Sequence, residues 1–159
     1  MSVVEVNQIK TKLRAMFEAH LHLSDISAHD PDRESKVLTR CLGAFAVYFE
    51  AGCSESDAAA TVWDGSDDNG IDAAFYDSSE SRVLFVQSKW IHKGSGEPEA
   101  QEIGSSVKGV KDAVEQDYSD FHARLHPKLN DLSLRLNTPG TRIHAIVVST
   151  GSNHLAKHA

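Results

Sequence analysis

The sequence predicts an α/β domain whose sheet is enclosed by helices on both faces. Residues 70–77 and 82–89 are rich in aliphatic and aromatic side chains and flank the turn-forming run Ser78-Ser79-Glu80-Ser81, the pattern of a β-hairpin with a four-residue loop. Successive side chains of a strand alternate in direction. Ala74, Tyr76, Val83 and Phe85 therefore fall on one face, and Ile71, Ala73, Phe75, Leu84 and Val86 on the other. Helix-period segments precede and follow this hairpin, and a sheet apolar on both faces is one that helices cover.

Taken in order, residues 4–21 carry Ile9, Leu13, Met16, Phe17 and Leu21 at three- and four-residue steps, an amphipathic helix. Residues 24–29 interrupt it. Asp30-Pro31-Asp32 joins a capping acid to a proline and predicts a helix start. The segment 37–51 is apolar almost all round and reads as a buried central helix capped by Gly52. Ser54, with Asp57 three residues on, predicts a short helix through about Ala60. Thr61-Val62-Trp63 reads as a first short strand, and residues 64–70 as a polar loop into the hairpin. After a glycine-containing loop at 92–97, Pro98 opens a helix expected to reach about Tyr118, with Ile103, Val107, Val110 and Val114 facing inward. A second helical stretch, 120–136, is broken by Thr138-Pro139-Gly140, and 142–149 reads as a buried strand beside the hairpin. Residues 150–159 read as a turn and the opening of a helix that does not complete, so the chain is expected to be the N-terminal part of a longer protein.

The 159 residues, 40% of them hydrophobic, suffice for one domain with its own core. Residues 1–29 are expected to form a helical extension and 30–151 the core. The N-terminus has no basic segment followed by an apolar one, and no run approaches membrane-spanning length, so a cytoplasmic protein without a membrane partner is expected. Cys41 and Cys53 are too few and wrongly spaced for a zinc cluster or disulfide framework. A net charge of −7 argues against a nucleic-acid partner. The local balance argues the other way: Arg82, Lys89, His92, Lys93, Lys108 and Lys111 cluster in a stretch with few acids before Glu97. Lys93, Lys108 and Lys111 are the expected nucleic-acid contacts.

The chemistry lies across the hairpin. Paired residue numbers keep a constant sum along an antiparallel ladder, so if Asp77 pairs with Arg82, Asp72 faces Gln87, and Lys89 shares the face of Gln87. Phosphodiester hydrolysis needs an activated water and relief of the charge developing on the phosphoryl oxygens, both of which a hard divalent cation supplies. Magnesium prefers oxygen ligands and retains several waters. Asp72 is then the anionic ligand, Gln87 the neutral one and the Ser88 carbonyl a third, with Lys89 placed to orient water or stabilise charge. The structural alternatives are a strand-start acid accepting loop N–H bonds and a strand-end lysine lying along the surface.

Asp68-Asn69-Gly70-Ile71-Asp72, followed after fifteen residues by Gln87-Ser88-Lys89, resembles the catalytic signature of the PD-(D/E)XK nuclease superfamily. It is most similar to the Mrr-like branch, in which glutamine replaces the usual glutamate. The wording Asp-Gly-Ser-Asp-Asp-Asn-Gly-Ile-Asp-Ala at residues 64–73, then Val-Gln-Ser-Lys-Trp, is also similar to the N-terminal region of abortive-infection phage-resistance proteins. The resemblance covers roughly residues 35–151, its specific part about 64–90. It implies a restriction-endonuclease-like α-β-β-β-α-β core with a mixed sheet flanked by helices, here with an extra N-terminal helix. It further implies an endonuclease dependent on Mg2+, with Mn2+ as the alternative, that hydrolyses DNA in defence against phage or foreign DNA. Relatives often carry a glutamate in the first core helix. Cys41 stands in that neighbourhood here, which leaves Glu34 and Glu50 as the helix acids, and Asp68 as a loop acid, that could add a ligand.

Three other patterns fail on their own spacing or residue types. Counted from Asp64, a calcium loop finds Asn69 where it needs glycine and Phe75 where it needs a bidentate glutamate. His122 and His126 have the spacing of a zinc protease pair, but Ala123 replaces its glutamate. Ser149-Thr150-Gly151-Ser152-Asn153 lacks the glycine pattern and lysine of a nucleotide loop. Trp90 and His92 stand either at the edge of the site or in simple packing. The rival expectation is a nuclease-fold module that binds nucleic acid or a partner protein without cutting. RNA stays open beside DNA as the substrate, and a homodimer would suit two cuts in a duplex.

Overall fold

The computed structural model describes residues 1–63 and 65–152. The expectations for Asp64 and for residues 153–159 lie outside the described residues.

Helix α1 (Val3–Phe17) opens on a reciprocal cap: Ser2 Oγ accepts the Glu5 N–H, and the Glu5 carboxylate accepts the Ser2 N–H. It ends in a 3-10 turn, Glu18–His20. Helix α2 (Arg33–Ala51) starts after Pro31, with Asp32 at its N-cap, and stops at Gly52 in the left-handed region. It buries Leu38, Cys41, Leu42, Ala44 and Val47, yet Phe49 is 71% exposed. The helix is therefore covered on one broad face and not all round. Helix α3 (Glu55–Ala60) is capped by Ser54 Oγ, which accepts the Asp57 N–H at 3.1 Å.

The sheet has the order β1-β2-β3, with β1 (Ala73–Asp77), β2 (Arg82–Lys89) and β3 (Arg142–Ser149). β1 runs antiparallel to β2 with Asp77 opposite Arg82 and Ala73 opposite Val86, and β3 runs parallel to β2. The strand expected at residues 61–63 reduces to one bridge between Val62 and Ala73. Trp63 donates its N–H to the Asp72 carbonyl, and Trp63 itself is buried. The architecture is α/β, a small mixed sheet flanked by helices. Among the described residues three strands stand where the resemblance implied four.

Two apolar clusters sandwich the sheet. α1, α2 and α3 pack on the face of Ala73 and Val86. Phe121, Leu125 and Leu129, with Ala113, pack on the face of Ala74, Val83 and Phe85. Helix α4 (Ala100–Glu115) corrects the expected stripe. Ser106, Gly109 and Ala113 face inward, whereas Val107 is 63% and Val114 39% exposed. Small residues win that face because the backbone of the loop at 69–71 lies against it. The expected 120–136 helix is a 3-10 turn, Ala123–Leu125, followed by α5 (His126–Leu136) with Pro127 in its first turn. β3 is the edge strand and is not buried: Ile143 is 44% and Val147 40% exposed. No helix among the described residues is long and apolar enough to cross a membrane.

Candidate functional site

The loop at 65–71 is built to deliver Asp72 to the start of β1. Asp68 Oδ1 accepts the Gly70 N–H at 3.0 Å, and the Asp68 carbonyl accepts the Ile71 N–H at 3.1 Å, closing a tight turn around Asn69 and Gly70, both at positive φ. The Asn69 amide donates to Asp112 Oδ2 on α4 at 2.8 Å. Gly70 lies so close to α4 that an added Cβ would stand 2.7 Å from the Ser105 carbonyl carbon. At Gly109 a Cβ would stand 2.0 Å from the Asn69 carbonyl oxygen. Glycine at both positions is what lets loop and helix touch.

Asp72 and Gln87 are in contact, as the hairpin register requires: Gln87 Nε2 donates to Asp72 Oδ2 at 3.1 Å. The same oxygen accepts the Ser88 N–H at 2.6 Å and the Ser88 hydroxyl at 2.9 Å, so all three bonds land on Oδ2 and none on Oδ1. Ser88 Oγ is also bonded to the Thr39 carbonyl of α2 at 3.0 Å, and Gly43 of the same helix stands over Asp72 and Ser88. Burial raises the Asp72 carboxyl to about 7, the Asp68 charge adds to the rise, the Ser88 donors oppose it and Glu102 contributes a further push upward. Asp68 is likewise raised, chiefly by burial. The two carboxylates thus act on each other, with the Arg124 charge partly offsetting the rise at Asp68.

Gln87 supplies the fourth feature. Its amide NH2 lies between Asp72 Oδ2 and, at 3.4 Å, the Ser88 carbonyl, while its Oε1 is buried without a hydrogen-bond partner. Buried polar atoms are nearly always satisfied, so this unpartnered oxygen, on an amide that touches Asp72, is a candidate ligand position. The donors are all oxygens, which fits a hard divalent cation. Among the described residues no cluster of three His, Cys, Asp or Glu side chains forms. The set is two carboxylates, an amide oxygen and a backbone carbonyl.

A cleft of about 840 Å³ opens on Asp68 and Asp72, walled by Thr39 and Arg40 of α2 and by Arg124. Arg124 holds the Ser66 carbonyl at 2.7 Å and closes the loop from the other side. A cavity of about 460 Å³ near Cys53, Trp63 and Leu132 contains none of these acids.

The remaining candidates are dispersed. The Lys89 ammonium is paired with Glu102 of α4. Glu34 is paired with Lys10 and lies 4.0 Å from Arg14 at the solvent-facing start of α2. Glu50 sits 3.6 Å from Arg82, at the opposite end of β2 from Gln87. Lys108 is held by Asp112 and Asp120, and Lys111 lies 4.0 Å from Glu115. Lys93 is exposed. Trp90 is packed into the core, its indole N–H directed at His92. Cys41 faces away from the site, buried so that its thiol is pushed up to about 12. Sequence reasoning missed Glu102, whose signal was the Glu99…Glu102 spacing of a helix start, and the Ser88 hydroxyl.

No family model matches the chain, and neither a curated protein nor a solved structure matches it.

Proposed function

We propose that the chain is a metal-dependent nuclease domain acting on DNA, with defence against foreign DNA as its setting. The observation that carries this reading is the contact of Asp72, which opens onto a cleft, with the amide group of Gln87, whose Oε1 is buried and unpartnered. The likeness of 68–72 and 87–89 to the nuclease signature supports it. Asp72, Gln87 Oε1 after rotation of its amide, and the Ser88 carbonyl would hold Mg2+ or Mn2+, with Asp68 beside them. The bound ion would supply Lewis-acid stabilisation of the phosphoryl oxygens and ready activation of water. Lys89 donates to a phosphoryl oxygen as its negative charge grows. Water oxygen forms a new bond to phosphorus, the bond to the leaving sugar oxygen breaks, and a proton passes to that oxygen.

A second reading, a nuclease-fold module that binds without cutting, draws on two observations. Lys89 is engaged by a carboxylate, and α2 brings Thr39 and Gly43, not an acid, to Asp72. Incubation with plasmid DNA, and in parallel with RNA, with and without Mg2+ or Mn2+, separates the two. Metal-dependent cleavage should fall by about 100-fold or more in Asp72→Asn and in Lys89→Ala; full cleavage in both variants removes this site, and no cleavage by the native chain favours the binding module.

A further inference from the structure

Lys89 does not direct its ammonium at the carboxylates of the loop. It pairs with Glu102 Oε1. The second oxygen of that carboxylate accepts the Glu99 N–H at 3.0 Å, within a reciprocal cap that opens α4. Glu102 is therefore fixed by the helix start, and one of its oxygens remains for the lysine. The same helix is locked to the Asp68–Asp72 loop through Asp112 and Gly109. One rigid element thus fixes the place of both the loop acids and the lysine.

The ammonium has two kinds of carboxylate within the same end of the sheet: Glu102, and the pair Asp68 and Asp72, whose mutual repulsion makes either an attractive partner for a cation. Were Lys89 to fall on the pair, it would neutralise the charge a divalent ion needs. Resting on the nuclease reading, we infer that Glu102 is a positioning residue: it draws Lys89 away from Asp72 and Asp68, keeps those carboxylates open to a metal ion, and holds the ammonium where a phosphoryl oxygen arrives. A helix cap alone would need no charge at this position, since glutamine serves a capping box as well as glutamate.

Glu102→Gln separates the two roles because it keeps the cap acceptor and removes the charge. Its melting temperature should match that of the native chain. Its affinity for Mn2+, measured by calorimetry in the absence of DNA, should fall at least fivefold, and Glu102→Asp should recover part of the loss. The double variant Glu102→Gln/Lys89→Ala should bind Mn2+ as tightly as Lys89→Ala alone, because no lysine is left to compete. With plasmid DNA, kcat in Glu102→Gln should drop at least tenfold while KM changes little. Native Mn2+ affinity together with native kcat in Glu102→Gln reduces Glu102 to a helix cap and overturns the inference. A native chain that binds Mn2+ but does not cleave removes the nuclease reading and leaves the calorimetric arm to decide the positioning; a native chain that does neither overturns both.

Discussion

At one end of the hairpin Asp77 faces Arg82, and at the other Asp72 faces Gln87. Asp77 is buried, yet it carries a full set of partners: Arg82 Nε at 2.9 Å and the Ser79 hydroxyl and N–H at 2.6 and 3.1 Å. Burial pushes its carboxyl upward, and the Ser79 and Arg82 bonds outweigh that, so it ends below the usual range. Asp72 has three donors too, but none is charged, and a second acid stands beside it. The same residue type, at the two ends of one arm of the hairpin, has a cationic partner in one place and only neutral donors in the other. The two ends of the hairpin thus hold the same residue type in opposite electrostatic settings.

The comparison can be broken first at its settled end. Asp77→Ala takes the nearest carboxylate from the largely buried Arg82, which keeps its contacts to Glu50, and should cost about 3 kcal/mol in urea unfolding while leaving metal binding at Asp72 intact. At the other end, Gly109→Ala forces the Asn69 carbonyl off α4 and should cost about 2 kcal/mol with a loss of metal affinity, since the loop that carries Asp68 must move. Equal loss of metal affinity in both variants would show that the two ends are not independent.

The pH dependence sharpens the contrast, because the two acids act in opposite directions. Asp77, lowered in the folded state, adds stability above the unfolded carboxylate range near pH 4 and loses it as the pH falls. Asp72, at about 7 when folded, holds its proton more tightly than in the unfolded chain; stability is highest below about pH 4 and declines as the pH rises to 7. Asp72→Asn should accordingly be more stable than the native chain by roughly 1–2 kcal/mol at pH 8, with the gain fading toward pH 4 in thermal melts. The smallest expected effect is at Gln87. Gln87→Glu adds a negative charge next to the ion and should tighten Mg2+ by about tenfold, roughly 1.4 kcal/mol, by calorimetry. Unchanged affinity would take Gln87 out of the site.

Local signals carried most of what could be read ahead of the structure. Ser54 and Gly52 marked helix ends because caps are matters of a few neighbouring residues. The Asp72–Gln87 contact followed from counting out of the Ser78–Ser81 turn, since register propagates along a ladder. What failed was whatever depends on the partner surface. Val107 and Val114 looked like an inward stripe, but a helix pressed against loop backbone needs Ser106, Gly109 and Ala113 there instead. The aliphatic run of 142–149 gave no hint that it ends the sheet. Glu102 was invisible as a site residue because its link to Lys89 crosses from one element to another.

Among the described residues, β3 leaves the sheet open on the side away from β1. Its eight residues contain no proline or lysine, and Ile143, Ala145 and Val147 face outward, which leaves Arg142 as the one charged guard on this strand. Growth of the sheet at this border would lengthen it beyond β3 with β2 unmoved. The Asp72–Gln87 contact lies between the start of β1 and the end of β2, one strand in from that border.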